Sequence, residues 1–192
     1  MPLGTDLQQL LVERRTVHDY AQRAIPEGAL ERALEAATSA PNHRMTEPWR
    51  FIRVGREGRE EVARISIDLK SDGGRSPLSA SGVEKQRAKL LNPAELLVVS
   101  QVVDPEPDVA EEDYAAVACA IQNAMLSLHA QGISSKWSTG QVTTDARTYA
   151  LLGVDPAQER IVGFVWVGYP AVENPPKARR RRPLSDVYRQ VP

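Results

Sequence analysis

The stretch AELLVVSQVV, residues 94–103, runs Leu96, Leu97, Val98 and Val99 together and closes on Val102 and Val103. It has no polar face, so it predicts a strand covered on both sides. Beyond it, DPEPDVAEED (104–113) reads as an acidic loop. Then YAAVACAIQNAMLSLHAQG (114–132) predicts a long helix, apolar nearly all round, with Gly132 as its stop. A helix of that composition lies either at the centre of a domain or between two subunits. A strand and a helix this apolar anchor a layered domain, and the remaining segments are placed around them.

Upstream, TDLQQLLVERR (5–15) carries Leu7, Leu10 and Leu11 on one helical face, with Thr5 or Asp6 as a cap. PEGALERALEAATSA (26–40) predicts a second helix, entered at Pro26 and lined by Leu30, Ala33, Leu34 and Ala37. WRFIRV (49–54) reads as a strand and EGREEVARISIDLK (57–70) as a charged amphipathic helix. Residues 71–88, rich in Ser and Gly, read as a mobile loop or lid. Downstream, ISSKW (133–137) predicts a short strand, DARTYALLG (145–153) a short helix ended by Gly153, and RIVGFVWVGYP (160–170) the last strand. Residues 170–192 form a Pro- and Arg-rich arm. Strands separated by helices, without an internal repeat, predict one α+β domain over 1–192, with a central sheet of four to five strands flanked by helices.

The composition is that of a soluble globular chain: 192 residues, 42% hydrophobic, 26% charged, formal net charge −1. No global field draws nucleic acid or anionic lipid, and no apolar run reaches the length of a membrane span. The basic run Arg179–Arg182 alone does not make a nucleic-acid interface. The start of the chain shows no signal-peptide pattern, and the single Cys119 fits a reducing cytoplasm, the expected location. No GxGxxG follows a strand, and there is no P-loop and no GxSxG elbow. His18, His43 and His129 lack metal-ligand spacing, so no metal is expected. Any chemistry here borrows a cofactor held by another device.

Three polar clusters ask for a ligand. Arg14, Arg15 and Thr16 end the first helix. Arginines there complement the helix dipole, and their forks also match phosphate oxygens. SAPNHRMTEPWRFIRV (39–54) joins helix to strand by a long polar crossing stiffened by Pro41 and Pro48. It reads as a rigid loop with a surface histidine, or as a segment offering donors beside the flat Trp49. GISSKWSTGQ (132–141) is too polar for a core strand and too aromatic for a free loop. Its hydroxyls and amides suit a planar heterocycle, while Thr144 or Asp145 also suits the N-cap of the following helix.

Taken in order, these blocks resemble the FMN-dependent nitroreductase family. ERRTVHDY (13–20) is similar to its N-terminal Arg-Arg-Ser signature, and SAPNHRMTEPWRFIRV to its Ala-Pro…Gln-Pro-Trp-x-Phe segment. GISSKWSTG resembles Gly-Ile-Gly-Ser-x-Trp-x-x-Gly, ERIVGFVWVGYP (159–170) the last strand, and RRPLSDV (181–187) the closing motif. The Asn42-His43-Arg44 form of the second block resembles a compact subgroup. Departures include Thr16 for Ser, Glu47 for Gln and Ser134 for Gly.

The resemblance implies an entwined α+β homodimer with FMN at the subunit interface and a small-molecule electron acceptor. It implies ping-pong chemistry in which NADH or NADPH passes hydride to flavin N5 and nitroaromatics or quinones are then reduced. By position, Arg14, Arg15 and Thr16 hold phosphate, ribityl and the pyrimidine edge. Ser39 and His43 reach the flavin from the partner subunit. Ser135, Lys136, Trp137, Ser138, Thr139 and Gly140 line the isoalloxazine, and Asp145 stands near its polar end. Arg179 and Arg181 match tail positions that bind phosphate. The same fold also serves dehalogenation, desaturation and flavin fragmentation, and a non-catalytic flavin-binding or storage protein is a further alternative.

Overall fold

The structure is a computed structural model and describes residues 7–172 and 181–191. Its elements run α1 (Leu7–Glu13), α2 (Ala29–Thr38), β1 (Trp49–Val54), α3 (Arg56–Lys70), α4 (Ala80–Leu91), β2 (Glu95–Val102), α5 (Pro107–Ala130), β3 (Ser134–Ser138), α6 (Gln141–Thr144), α7 (Ala146–Leu152) and β4 (Glu159–Gly168). The four strands form one antiparallel sheet in the order β1-β2-β4-β3. The expected α+β class and layering hold.

Side chains alternate along a strand, so the apolar run of β2 serves two cores. Leu97 and Val99 join Val165 and Val167 of β4 under α2 and α5. Leu96 and Val98 join Phe164 and Trp166 on the opposite face, together with Val62 of α3 and Leu90 of α4. This is why β2 reads as continuously apolar, although its neighbours are antiparallel. The inner face of α5 carries Ala116, Val117, Ala120, Ile121, Ala124, Met125 and Leu128. Its outer face leaves Ala115, Cys119 and Tyr114 exposed.

Two boundaries differ from expectation. The acidic stretch 104–113 is loop only at its start, because α5 begins at Pro107 with Asp108 in its first turn. Proline at the first helical position loses no bond, and acids there meet the positive end of the dipole. Likewise, 71–88 is not one loop. Its second half is α4, capped by Ser79, whose Oγ accepts from Gly82 N at 3.2 Å. Only Gln86 and Leu90 of α4 are buried, so its apolar stripe was too thin to read.

Candidate functional site

The first cluster sits where α1 ends against β3. Thr16 makes an isolated parallel bridge to Ser135, and Val17 N donates to Ser135 O at 3.5 Å. Arg15 Nη1 turns back on its own helix end and donates to Arg14 O at 2.8 Å and to Val12 O. Arg14 does something else. Its Nη1 is buried with no hydrogen-bond partner, and so is Ser135 Oγ. Burial lowers the Arg14 pKa, and the charges of Arg15 and Arg181 lower it further. Among the described residues none of these three arginines forms an ion pair. Arg14, with an unused buried donor and two further guanidiniums acting on it, suits an anion with several acceptor oxygens. His129, near the end of α5, lies in the same field; burial first and then Arg14 hold its pKa below the usual value, against Glu13.

The third cluster splits by alternation. Ser135 and Trp137 face the α5 side, where Trp137 packs against that core. Lys136 and Ser138 face the other way, into a cavity of about 240 Å³ that Thr139 and Gly140 also line. Ser138 Oγ accepts from Trp166 Nε1 at 2.9 Å. Across the cavity stand Lys70, Gln86 and Lys89. Lys70 Nζ donates to Gln86 Oε1 at 2.6 Å, and Gln86 Nε2 to Ser66 Oγ at 2.9 Å. Burial lowers the Lys136 pKa, with Lys89 and Lys70 adding to it and Asp19 opposing. Burial, then Lys89, likewise lowers that of Lys70. The result is a cavity of mixed lining, with Leu69, Leu90, Phe164 and Trp166 among its walls and three lysines giving it positive potential, which suits an electron-rich ligand with an apolar body. Sequence reasoning missed Lys70, Gln86 and Lys89, because no local motif marks residues that meet only when α3 and α4 pack against β3.

Other expected site residues lie elsewhere within the chain. Ser39 follows α2, is exposed, and donates through Oγ to Glu35 O at 3.3 Å. His43 opens a short exposed turn in which Arg44, Met45 and Glu47 take left-handed φ of 62°, 52° and 46°. Such angles are costly for these residues and persist only when held. Asn42 Oδ1 holds the turn by accepting from Glu47 N at 2.7 Å, and Thr46 Oγ1 bonds Asp113 of α5. The long crossing is therefore a fixed platform that presents His43 outward. Neither Ser39 nor His43 lines the cavity beside Lys136. Arg179 lies outside the described residues.

Asp145 is engaged locally. Its carboxylate caps α7 by accepting from Arg147 N at 2.9 Å, and it also binds the Arg147 guanidinium, whose Nη1 bridges to Asp68 at 2.6 Å. The hydrogen bond from Arg147 holds its pKa below 3.8. A depressed carboxyl adds stability above its unfolded pKa and loses it as pH falls through the folded one. Asp145→Ala is thus expected to cost about 1 kcal/mol at neutral pH. The gap from wild type should close as the pH drops below about 4. Thermal unfolding of both proteins across that range checks it; a gap constant to low pH would exclude the charged cap.

The nitroreductase family model matches residues 11–169. The Bacillus subtilis protein YfhC, named provisionally as an NAD(P)H nitroreductase, is 28% identical over 186 residues, covering 96% of this chain and 94% of its own. The crystal structure of a nitroreductase-like family protein from Bacillus cereus superposes with a TM-score of 0.86 at 26% identity, covering 100% of this chain and 98% of that one. A Desulfovibrio desulfuricans structure, provisionally titled a nitroreductase and complexed with FMN, shares the fold at a TM-score of 0.72 and 21% identity, over 98% of each chain. With a model match over most of its length, the chain belongs to the nitroreductase family.

Proposed function

We propose that the chain is an FMN-dependent NAD(P)H oxidoreductase that reduces nitroaromatics, quinones or related acceptors. The observation that carries this reading is the buried, unpartnered Arg14 Nη1, which lies within the field of Arg15 and Arg181, together with the equally unpartnered Ser135 Oγ. A flavin phosphate supplies the acceptor oxygens that these donors lack. The residues fit the cofactor: Arg14, Arg181 and the Thr16 hydroxyl would hold its phosphate, and Lys136, Lys89, Lys70 and Thr139 would meet the polar edge of its ring. The chemistry FMN supplies when bound is hydride exchange, drawn from NADH or NADPH and returned to an oxidised acceptor. The lysines hold positive potential where the added electron density gathers. No side chain acts as a covalent nucleophile. Reductant and acceptor take turns at one open position, which makes the kinetics ping-pong.

The site is completed by a second copy. Ser39 and His43 are exposed and do not line the cavity of their own chain; in this reading they serve the neighbour's. The outer face of α5 and the exposed Leu184, Val187, Tyr188 and Val191 of the C-terminal arm are the apolar surface that pairing would cover.

The test is a visible absorption spectrum of the purified protein, before and after NADPH without oxygen. Bands of oxidised flavin that bleach on addition are expected, from a species with the mass of two chains. Bands that never appear, even after incubation with FMN, defeat the cofactor reading. A single-chain mass with full activity defeats the shared site.

A further inference from the structure

A second cavity, of about 580 Å³, lies against the opposite side of α4. Gln86, Lys89 and Leu90 of this helix face the flavin cavity, whereas Glu84, Arg87 and Leu91 face the second one. Arg23, Arg56 and Arg59 complete its charged lining. Four guanidiniums thus converge with one carboxylate, in a chain whose formal net charge is −1.

The four are held differently. Arg59 Nη1 donates to Pro93 O at 2.6 Å and to Ala94 O at 3.3 Å, so this side chain is fixed as the floor. Its Nε is buried with no acceptor, and burial lowers its pKa, with Arg56 and Arg53 adding and Glu95 opposing. Arg23 lies 4.0 Å from the centroid of the Tyr169 ring, which fixes its plane. Among the described residues Arg56 pairs with Glu60 alone, one turn along its own helix at 3.5 Å, leaving donors for a ligand. Arg87 forms no ion pair among the described residues and is half-exposed.

We infer that this groove is a second anion site, for a small molecule bearing a diphosphate group. A lone carboxylate would leave most of the charge uncompensated. A diphosphate carries several charges and presents oxygens in the spacing that guanidinium forks accept pairwise. The volume exceeds that of one phosphate and matches a compact phosphorylated molecule. The site stands apart from the Arg14 cluster and does not depend on the flavin reading.

The experiment is calorimetric titration of the full chain with inorganic diphosphate. Arg14→Gln serves as the background, because it weakens the other arginine cluster. That variant is expected to bind diphosphate still. Adding R56Q and R87Q should reduce the affinity about tenfold or more. R56K and R87K, which keep the charge but not the fork, should fall between. Both positions are at least partly exposed, so circular dichroism should match the parent. No binding in the Arg14→Gln background, or binding unchanged by R56Q/R87Q, overturns the inference. Competition by NADPH for the groove would trace the ligand to the reductant's own phosphates; lack of competition would point to a separate phosphorylated molecule.

Discussion

Arg14→Ala is expected to weaken FMN binding on the order of 10- to 100-fold, the loss that follows removal of a buried, charge-assisted contact to phosphate. Arg14 is the arginine of its cluster with an unused buried donor, while Arg15 already serves the carbonyls at the end of α1. Removing Arg14 in the free protein breaks no hydrogen bond of that Nη1 group. The fold should therefore survive and the ligand should bear the loss. Arg75 supplies the control. It lies in the turn after α3, paired to Asp72 at 2.8 Å and largely exposed, and Arg75→Ala should leave FMN affinity unchanged. Quenching of FMN fluorescence on titration reads both. Equal affinities in the two variants would remove the phosphate clamp and, with it, the main support for the flavin reading.

Gly163→Ala is expected to cost about 2–3 kcal/mol of stability, a large loss for a single methyl. A Cβ at this position would stand 2.2 Å from Trp137 Nε1, 2.7 Å from its Cδ1 and 3.0 Å from Ser138 O. The indole of Trp137 lies directly over the β4 backbone, beside the irregularity where Val99 pairs with Gly163. The added methyl cannot be absorbed by a flexible chain end. It must drive the ring from its seat or push β3 away from β4. Because β3 carries Ser135 and Lys136 on opposite faces, FMN affinity should fall together with stability. Gly55→Ala is the comparison, since a Cβ there meets nothing within 4 Å. Urea unfolding of the two variants tests this. Matching stabilities would mean that Trp137 is free to move, and that β3 does not hold the site rigidly.

Much of this protein was legible along the chain. The alternation of WRFIRV, the unbroken run of AELLVVSQVV and the closing glycines Gly132 and Gly153 are local statements of backbone chemistry, and the elements appear where they were read. Arg14 and Thr16 were legible in one polar cluster and Ser135 in another, because each cluster interrupts an apolar pattern. Less legible was α4, whose buried face is little more than Gln86 and Leu90. The start of α5 was hidden by acids that favour a helix N-terminus as much as a loop. Ser135 to Gly140 read as one continuous lining, yet a strand can show only alternate residues to one side, and Lys136 parts from Trp137 for that reason.

The sequence by itself determined the layered α+β class, the family, and where its polar clusters interrupt the apolar pattern, since periodicity, capping and short motifs are written in neighbouring positions. Tertiary structure alone decided that Thr16 meets Ser135, that Lys70 and Lys89 join Lys136 around one cavity, and that Arg23 and Arg87 share a groove with Arg56 and Arg59. Those meetings depend on how antiparallel strands and the helices packed on them close in space. No local pattern encodes the distance between residues that far apart in the chain.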